Sequence, residues 1–298
     1  MELSWLMKTR IAASVATGVV LIGLLAWPLA APPEPFGTVS LPAGTISATG
    51  AVIVAVLAFL AGFIAYFVSW PYGREIGILA APAGLGIWAV RSGSMVNLIR
   101  RTAAANQSAL FAALKWEPLF WLAIVAAGFA GVLAAQRISR KHNPDKNKKI
   151  SNPKSNMHLN VIIALAASVL IAQFGITVFA QNVRVFDEKL GSVLAQPAVA
   201  QIVYAVFVSF GIAAFVAKKF LNVSYIWPTI AGAFVTAFAI ITYGKEDIIQ
   251  YLNSRWPAVF FSHAVISILP IQMVAFGTLG SIAGYWMAIR YNYWRKHA

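Results

Sequence analysis

The chain has 298 residues, 60% of them hydrophobic and only 11% charged, with a formal net charge of +14 and no cysteine. A soluble globular domain carries about 25% charged residues, so a soluble fold is excluded and lipid is the solvent for much of the chain. The missing cysteines exclude disulfides, thiolate metal sites, iron–sulfur clusters and cysteine nucleophiles.

Eight apolar stretches follow in chain order, at about 11–30, 51–70, 76–90, 117–136, 159–180, 200–217, 226–243 and 267–289. Most reach the ~20 residues a helix needs to cross the hydrocarbon core. The first begins after Lys8 and Arg10 and closes on Ala30-Ala31-Pro32-Pro33, a signal-peptide-like frame. Its length and its similarity to the internal stretch 159–180 favour a retained helix. The third is short and contains Pro82, Gly84 and Gly86, so it crosses or re-enters. Between the third and fourth, apolar residues recur at helical spacing over 94–115, which predicts an amphipathic helix on the outer surface, a connector or a lid. The second half has a shorter counterpart at 246–256.

The fourth stretch ends in the basic run 137–158, the only long hydrophilic segment. It reads first as a topology anchor and linker. Its alternative role is to hold anionic lipid headgroups through Arg137, Arg140, Lys141, Lys146, Lys148 and Lys149.

The fourth and eighth stretches match each other. In both, an arginine lies six residues after a glycine (Gly131 and Arg137; Gly284 and Arg290), and the tails read Arg140-Lys141-His142 and Arg295-Lys296-His297. Gly62 matches Gly211, and Pro82 matches Pro228. These matches predict an all-α polytopic membrane protein of eight transmembrane helices in two parallel four-helix repeats. Residues 1–136 form the first repeat, 137–158 the linker and 159–298 the second. With the N-terminus inside, the inner segments hold 15 basic and three acidic residues, and the outer ones eight and six. That is the positive-inside distribution, with both termini cytoplasmic and a bacterial inner membrane as the expected location. The charge is therefore explained by the membrane, and no nucleic-acid partner is expected.

No phosphate-binding loop, metal-spaced histidine pair or nucleophile elbow is present, and no cofactor is expected. Of the four histidines, only His263 approaches membrane depth. The predicted interior is nearly free of ionisable groups, which disfavours proton-coupled transport. Glu117, Asp187, Glu188 and His263 are the available groups for lipid chemistry, with no spacing that recommends them. Neutral polar residues at depth are Ser168, Gln173, Ser209, Thr229, Thr236, Gln272 and Thr278, read as interhelical hydrogen-bonding groups.

Pro82 and Pro228 fall at matching positions of two Gly/Pro-containing spans, a pattern that points to a solute site. With Gln173, His263 and Gln272 they are the candidate ligand or gating residues. Gly128, Gly131, Gly280 and Gly284 form small-residue ridges, expected to pack the fourth and eighth helices on each other or on another subunit. Trp5, Trp27, Trp70, Trp116, Trp121, Trp256, Trp286 and Trp294 are expected as interfacial anchors. The favoured function is a non-catalytic membrane subunit packed within a larger assembly, with other membrane subunits or further copies of this chain as partners. The alternative is a transporter or channel for a neutral or lipid-like solute, with its site between the repeats.

Overall fold

A computed structural model of the chain describes residues 4–34, 36–141, 157–181, 183–256 and 258–297. Among the described residues the fold is almost entirely helical. The first helix, α1 (Trp5–Gly18), continues as a π-helical turn over Val19–Leu25. Next come α2 (Ala48–Val68), the short α3 (Gly73–Ile76) and α4 (Ala80–Arg91), the last two joined by a 3₁₀ turn. The short helices α5 (Met95–Arg101) and α6 (Gln107–Leu114) precede α7 (Glu117–Lys141). The second half holds α8 (Met157–Phe179), α9 (Val199–Leu221), α10 (Ile226–Tyr243), α11 (Glu246–Arg255) and α12 (Pro270–His297).

Six of these segments are long and apolar enough to cross a membrane, and the bent pair Gly73–Arg91 plus Met95–Arg101, which turns through 58°, makes up to seven. Their large apolar side chains face outward, Leu170 and Phe174 of α8 among them. In water such exposure would be prohibitive, and in lipid it is the ordinary state. By the same criterion α12 is not apolar enough. It carries Gln272, Thr278, Ser281 and three glycines, and is nonetheless buried almost continuously from Pro270 to Gly284. The two facts agree: α12 packs on α9, α4, α10 and α7, so its side chains face protein and need small size more than apolarity.

The crossings are set by glycine. A Cβ on Gly18 would overlap the Ala80 carbonyl, which seats α1 against α4. A Cβ on Gly62 would strike the Gly128 carbonyl, and one on Gly131 the Phe59 carbonyl, which brings α2 and α7 into backbone contact. In the second half a Cβ on Gly280 would strike Phe207, and one on Gly284 would strike Gly211, where α9 meets α12. The four ridge glycines thus pack closely, but chiefly on α2 and α9 rather than on each other's helices. The reason is steric: each ridge faces a second glycine-bearing helix of its own half.

Pro228 is the third residue of α10, a first-turn position where the missing N–H has no intrahelical acceptor to lose. Pro82 lies inside the continuous helical run Gly73–Arg91, just after its 3₁₀ turn at Gly77–Leu79. The expected interruption is thus found beside Pro82, whereas Pro228 opens its helix.

The threonines are also corrected. Thr229, Thr236 and Thr278 donate to the carbonyls of Tyr225, Gly232 and Val274, four residues back in their own helices or caps. That local bond competes with any interhelical one. The Ser168 and Ser209 hydroxyls are buried without a partner. Trp121 is not an interfacial anchor: it is fully buried against Trp88, with ring centroids 6.3 Å apart.

Candidate functional site

At one end of the bundle the connections form a structured cap, and the polar groups converge there. Segment 37–47 folds back onto it. The Val39 N–H donates to Ser92 Oγ at 2.9 Å and the Gly93 N–H donates to the Gly37 carbonyl. Glu117 opens α7 and is 2% exposed. Its carboxylate accepts from Ser40 Oγ at 2.7 Å and from Trp121 Nε1 at 2.9 Å. Both oxygens are engaged, so Glu117 is a clamp between the loop and α7.

The expected amphipathic helix at 94–115 is two helices, α5 and α6, with Met95, Leu98, Ile99, Leu110, Phe111 and Leu114 buried beneath them. The capping hydroxyl of Ser94 accepts from Asn97 and starts α5.

In the second half a hairpin of β1 (Arg184–Asp187) and β2 (Gly191–Leu194) lies on the cap. Its turn is set by chemistry readable in Asp187-Glu-Lys-Leu-Gly191. Gly191 takes φ 75°, and Asp187 Oδ1 accepts from the Lys189 and Leu190 N–H groups at 3.0 and 2.9 Å. The same carboxylate accepts from Tyr251 Oη at 3.1 Å and from Trp256 Nε1 at 3.1 Å, so it docks α11 on the hairpin. Partial desolvation raises the Asp187 carboxyl, but the bonds from Leu190, Trp256, Lys189 and Tyr251 outweigh it and hold the group below its ordinary value.

Side-chain amides tie the two halves at three places. Asn253 of α11 donates to Gln107 Oε1 of α6 at 2.9 Å. Gln196 accepts from the Val96 N–H at 3.4 Å and donates to the Ser267 carbonyl at 3.1 Å. Gln272, 1% exposed, accepts from the Leu269 N–H and donates to the Ala89 carbonyl at 3.2 Å. Gln272 is thus both the N-terminal cap of α12 and its tie to α4.

Two open clefts flank the tie between α6 and α11. One, with an empty volume of about 340 Å³, is lined by Ile99, Phe111, Tyr243, Ile249, Leu252 and neighbours. The other has polar walls that include Gln107, Ser108, Glu246 and Gln250.

His263 sits beside them. Its ring stacks on Tyr243 at 4.2 Å, its Nδ1 accepts from the Val265 N–H, and its Nε2 lies 3.2 Å from Thr177 Oγ1. Thr177 donates onward to the Gln173 carbonyl, so Nε2 carries the proton and the ring is neutral. Burial and then the nearby Arg184 charge push its pKa below the ordinary histidine value.

Of the candidate ligand or gating residues, His263 and the Gln173 carbonyl meet through Thr177 of α8, Gln272 lies at the start of α12, Pro228 in the first turn of α10, and Pro82 beside the 3₁₀ turn within Gly73–Arg91. Arg137 is exposed at the end of α7. The side chains of Arg140 and Lys141, and Lys146, Lys148 and Lys149 altogether, lie outside the described residues. Among the described residues no His, Asp and Glu cluster suits a metal ion. Sequence reasoning missed the Asp187 hub and the Gln196 tie, whose partners are as much as 100 residues away.

No family model, curated protein or solved structure matches the chain.

Proposed function

We propose that the chain is a non-catalytic integral membrane subunit that packs within a larger membrane assembly. It is built from eight transmembrane helices in two parallel four-helix repeats, with both termini at the cytoplasmic face of a bacterial inner membrane. The observation that carries this reading is the seam between the halves. Helix α12 is enclosed by α9, α10, α4 and α7, and the buried Gln272 bonds it across the seam to α4. A transporter of this symmetry works by rocking one repeat on the other; a seam of close packing plus amide ties at Gln107, Gln196 and Gln272 favours a fixed body.

The repeat reading draws support from the matched glycine crossings. The second helix of each half meets the fourth at Gly62 with Gly128 and at Gly211 with Gly284. The contact of α4 with α12 also has its counterpart in that of α10 with α7, as a two-fold along the membrane normal requires. The transporter alternative loses the support of a matched proline pair, since Pro228 only opens α10 while Pro82 lies within Gly73–Arg91.

The reading is tested by extracting the tagged chain at native expression in mild detergent and identifying what accompanies it by native electrophoresis and mass spectrometry. Membrane proteins in a fixed ratio support it. A lone chain whose proteoliposomes take up a neutral solute refutes it.

A further inference from the structure

The cleft between α6 and α11 has walls that the subunit reading does not use. Glu246, Gln250, Asn253 and Ser254 stand at i, i+4, i+7 and i+8 of α11, so they share one helix face. That face lines the cleft together with Gln107 and Ser108, the first two residues of α6. The cleft is open, with an empty volume of about 830 Å³. Ile249 and Asn253 also line the smaller apolar cleft beside it, to which Phe111, Tyr243 and Phe260 contribute aromatic side chains. The two clefts are therefore one continuous depression, polar at one end and apolar at the other.

The hydrogen bonds across the polar end engage nitrogen and leave oxygen. Gln250 Nε2 donates to Glu246 Oε1 at 3.1 Å, and Asn253 Nδ2 donates to Gln107 Oε1 at 2.9 Å. Among the described residues, Gln250 Oε1, Asn253 Oδ1, Ser108 Oγ and the second Glu246 oxygen have no partner. Ser254 Oγ donates to the Tyr251 carbonyl, and its lone pairs stay open. Glu246 is the one charged residue lining either cleft. It forms no ion pair among the described residues, whereas Arg101 is held by Glu34 and Arg255 by Glu188. Its chain neighbours, Lys245 and Asp247, offset each other in charge. An anionic ligand would meet a carboxylate and no cation here. A bare metal ion would leave the apolar end unused. An organic cation uses both ends: its N–H groups donate to oxygens, and its carbon body covers apolar and aromatic surface.

We propose that this depression binds a small organic cation, a primary ammonium on a short alkyl body. The ammonium donates to the free oxygens of Glu246, Gln250 and Asn253, and the alkyl group lies on Ile249 toward Phe111 and Tyr243. The cleft is already open, so binding needs no movement of one half on the other. The site stands whether the chain works alone or within an assembly.

The test is titration of the full chain, in phosphatidylcholine nanodiscs, with butylammonium chloride, followed by saturation-transfer NMR against empty nanodiscs. Butanol and butyrate are the neutral and anionic controls. Butylammonium binds saturably, slows hydrogen exchange over residues 246–256, and is weakened by added salt; the two controls do neither. Glu246→Gln weakens binding about fivefold, the upper value for a solvent-exposed ion pair. Gln250→Lys, which sets a cation in the cleft, abolishes binding, and Gln250→Glu retains it. Positions 246 and 250 are exposed, so all three variants keep the wild-type melting temperature. Equal binding of butanol or butyrate, a butylammonium signal no larger than that of empty nanodiscs, or undiminished binding by Glu246→Gln and Gln250→Lys overturns the proposal.

Discussion

Gly284 and Gly211 face each other across the same crossing, yet they should respond very differently to a methyl group. A Cβ on Gly284 would overlap the Gly211 carbonyl oxygen and lie 2.7 Å from its carbon. Both are main-chain atoms of a packed helix and cannot swing aside. A Cβ on Gly211 meets only the Gly280 carbonyl, at an ordinary 3.5 Å. Overpacking a well-filled interior costs about 1–3 kcal/mol, and a backbone clash at a helix crossing belongs at the upper end. The better helix propensity of alanine offsets up to about 1 kcal/mol. Gly284→Ala should therefore lose about 2 kcal/mol net, or about 4–8 °C in melting temperature for a chain of this size. Gly211→Ala should be neutral or slightly stabilising. Gly232→Ala, whose Cβ meets nothing closer than 3.7 Å, serves as the control. The assay is thermal denaturation in one detergent, followed by fluorescence-detected size exclusion. Equal melting temperatures for the two variants would refute the crossing geometry.

Gln272→Leu should destabilise by about 1–3 kcal/mol, because it leaves a buried carbonyl and a buried N–H without partners. Gln173→Leu, at a half-buried site on α8, should have a smaller effect in the same thermal assay. Asp187→Ala should release α11 from the hairpin, seen as faster hydrogen exchange over residues 246–256 with the long helices unchanged. Because the fold lowers the Asp187 carboxyl, the docking it provides is present at neutral pH. Wild-type protein should lose that docking only as pH falls through the lowered value. His263 has the opposite chemistry and the same direction: its folded pKa is depressed, so the unfolded chain binds the proton more readily near pH 6.5. Stability should fall as pH drops below that value, and His263→Gln should flatten the dependence between about pH 7 and 5, read as melting temperature against pH.

Much of the helical pattern was legible because hydropathy runs report lipid exposure directly. The stretches at 51–70, 159–180 and 226–243 correspond within about three residues to α2, α8 and α10. The ridge glycines were legible as close-contact positions for the same reason, since only a backbone crossing explains small residues spaced along one face. Their partners were not: a ridge does not say which helix it meets, and α7 and α12 each chose a helix of their own half. Trp121 lies near a span end and reads as an anchor, but Glu117 one turn before it accepts its indole N–H and draws it inside. Pro82 lies inside its apolar run, beside the 3₁₀ turn that interrupts Gly73–Arg91, whereas Pro228 stands in the first turn of α10 and interrupts nothing, a difference no local pattern announces. Asp187 and Gln196 stayed invisible because their partners, Tyr251, Trp256, Val96 and Ser267, are distant in sequence and no local period connects them. The hairpin turn did carry a local signal, an Asx turn closing on Gly191.

The central claim is that the two halves form one fixed body. The absence of native cysteine permits spin labels on an Arg100→Cys, Gln250→Cys pair, exposed positions on α5 and α11 that stand on opposite halves of the cap. Double electron–electron resonance should give one narrow distance distribution, identical in detergent and in lipid nanodiscs and unmoved by added amphiphiles or neutral solutes. Two populations, or a distance that shifts with a solute, would contradict the account and make the seam a moving one.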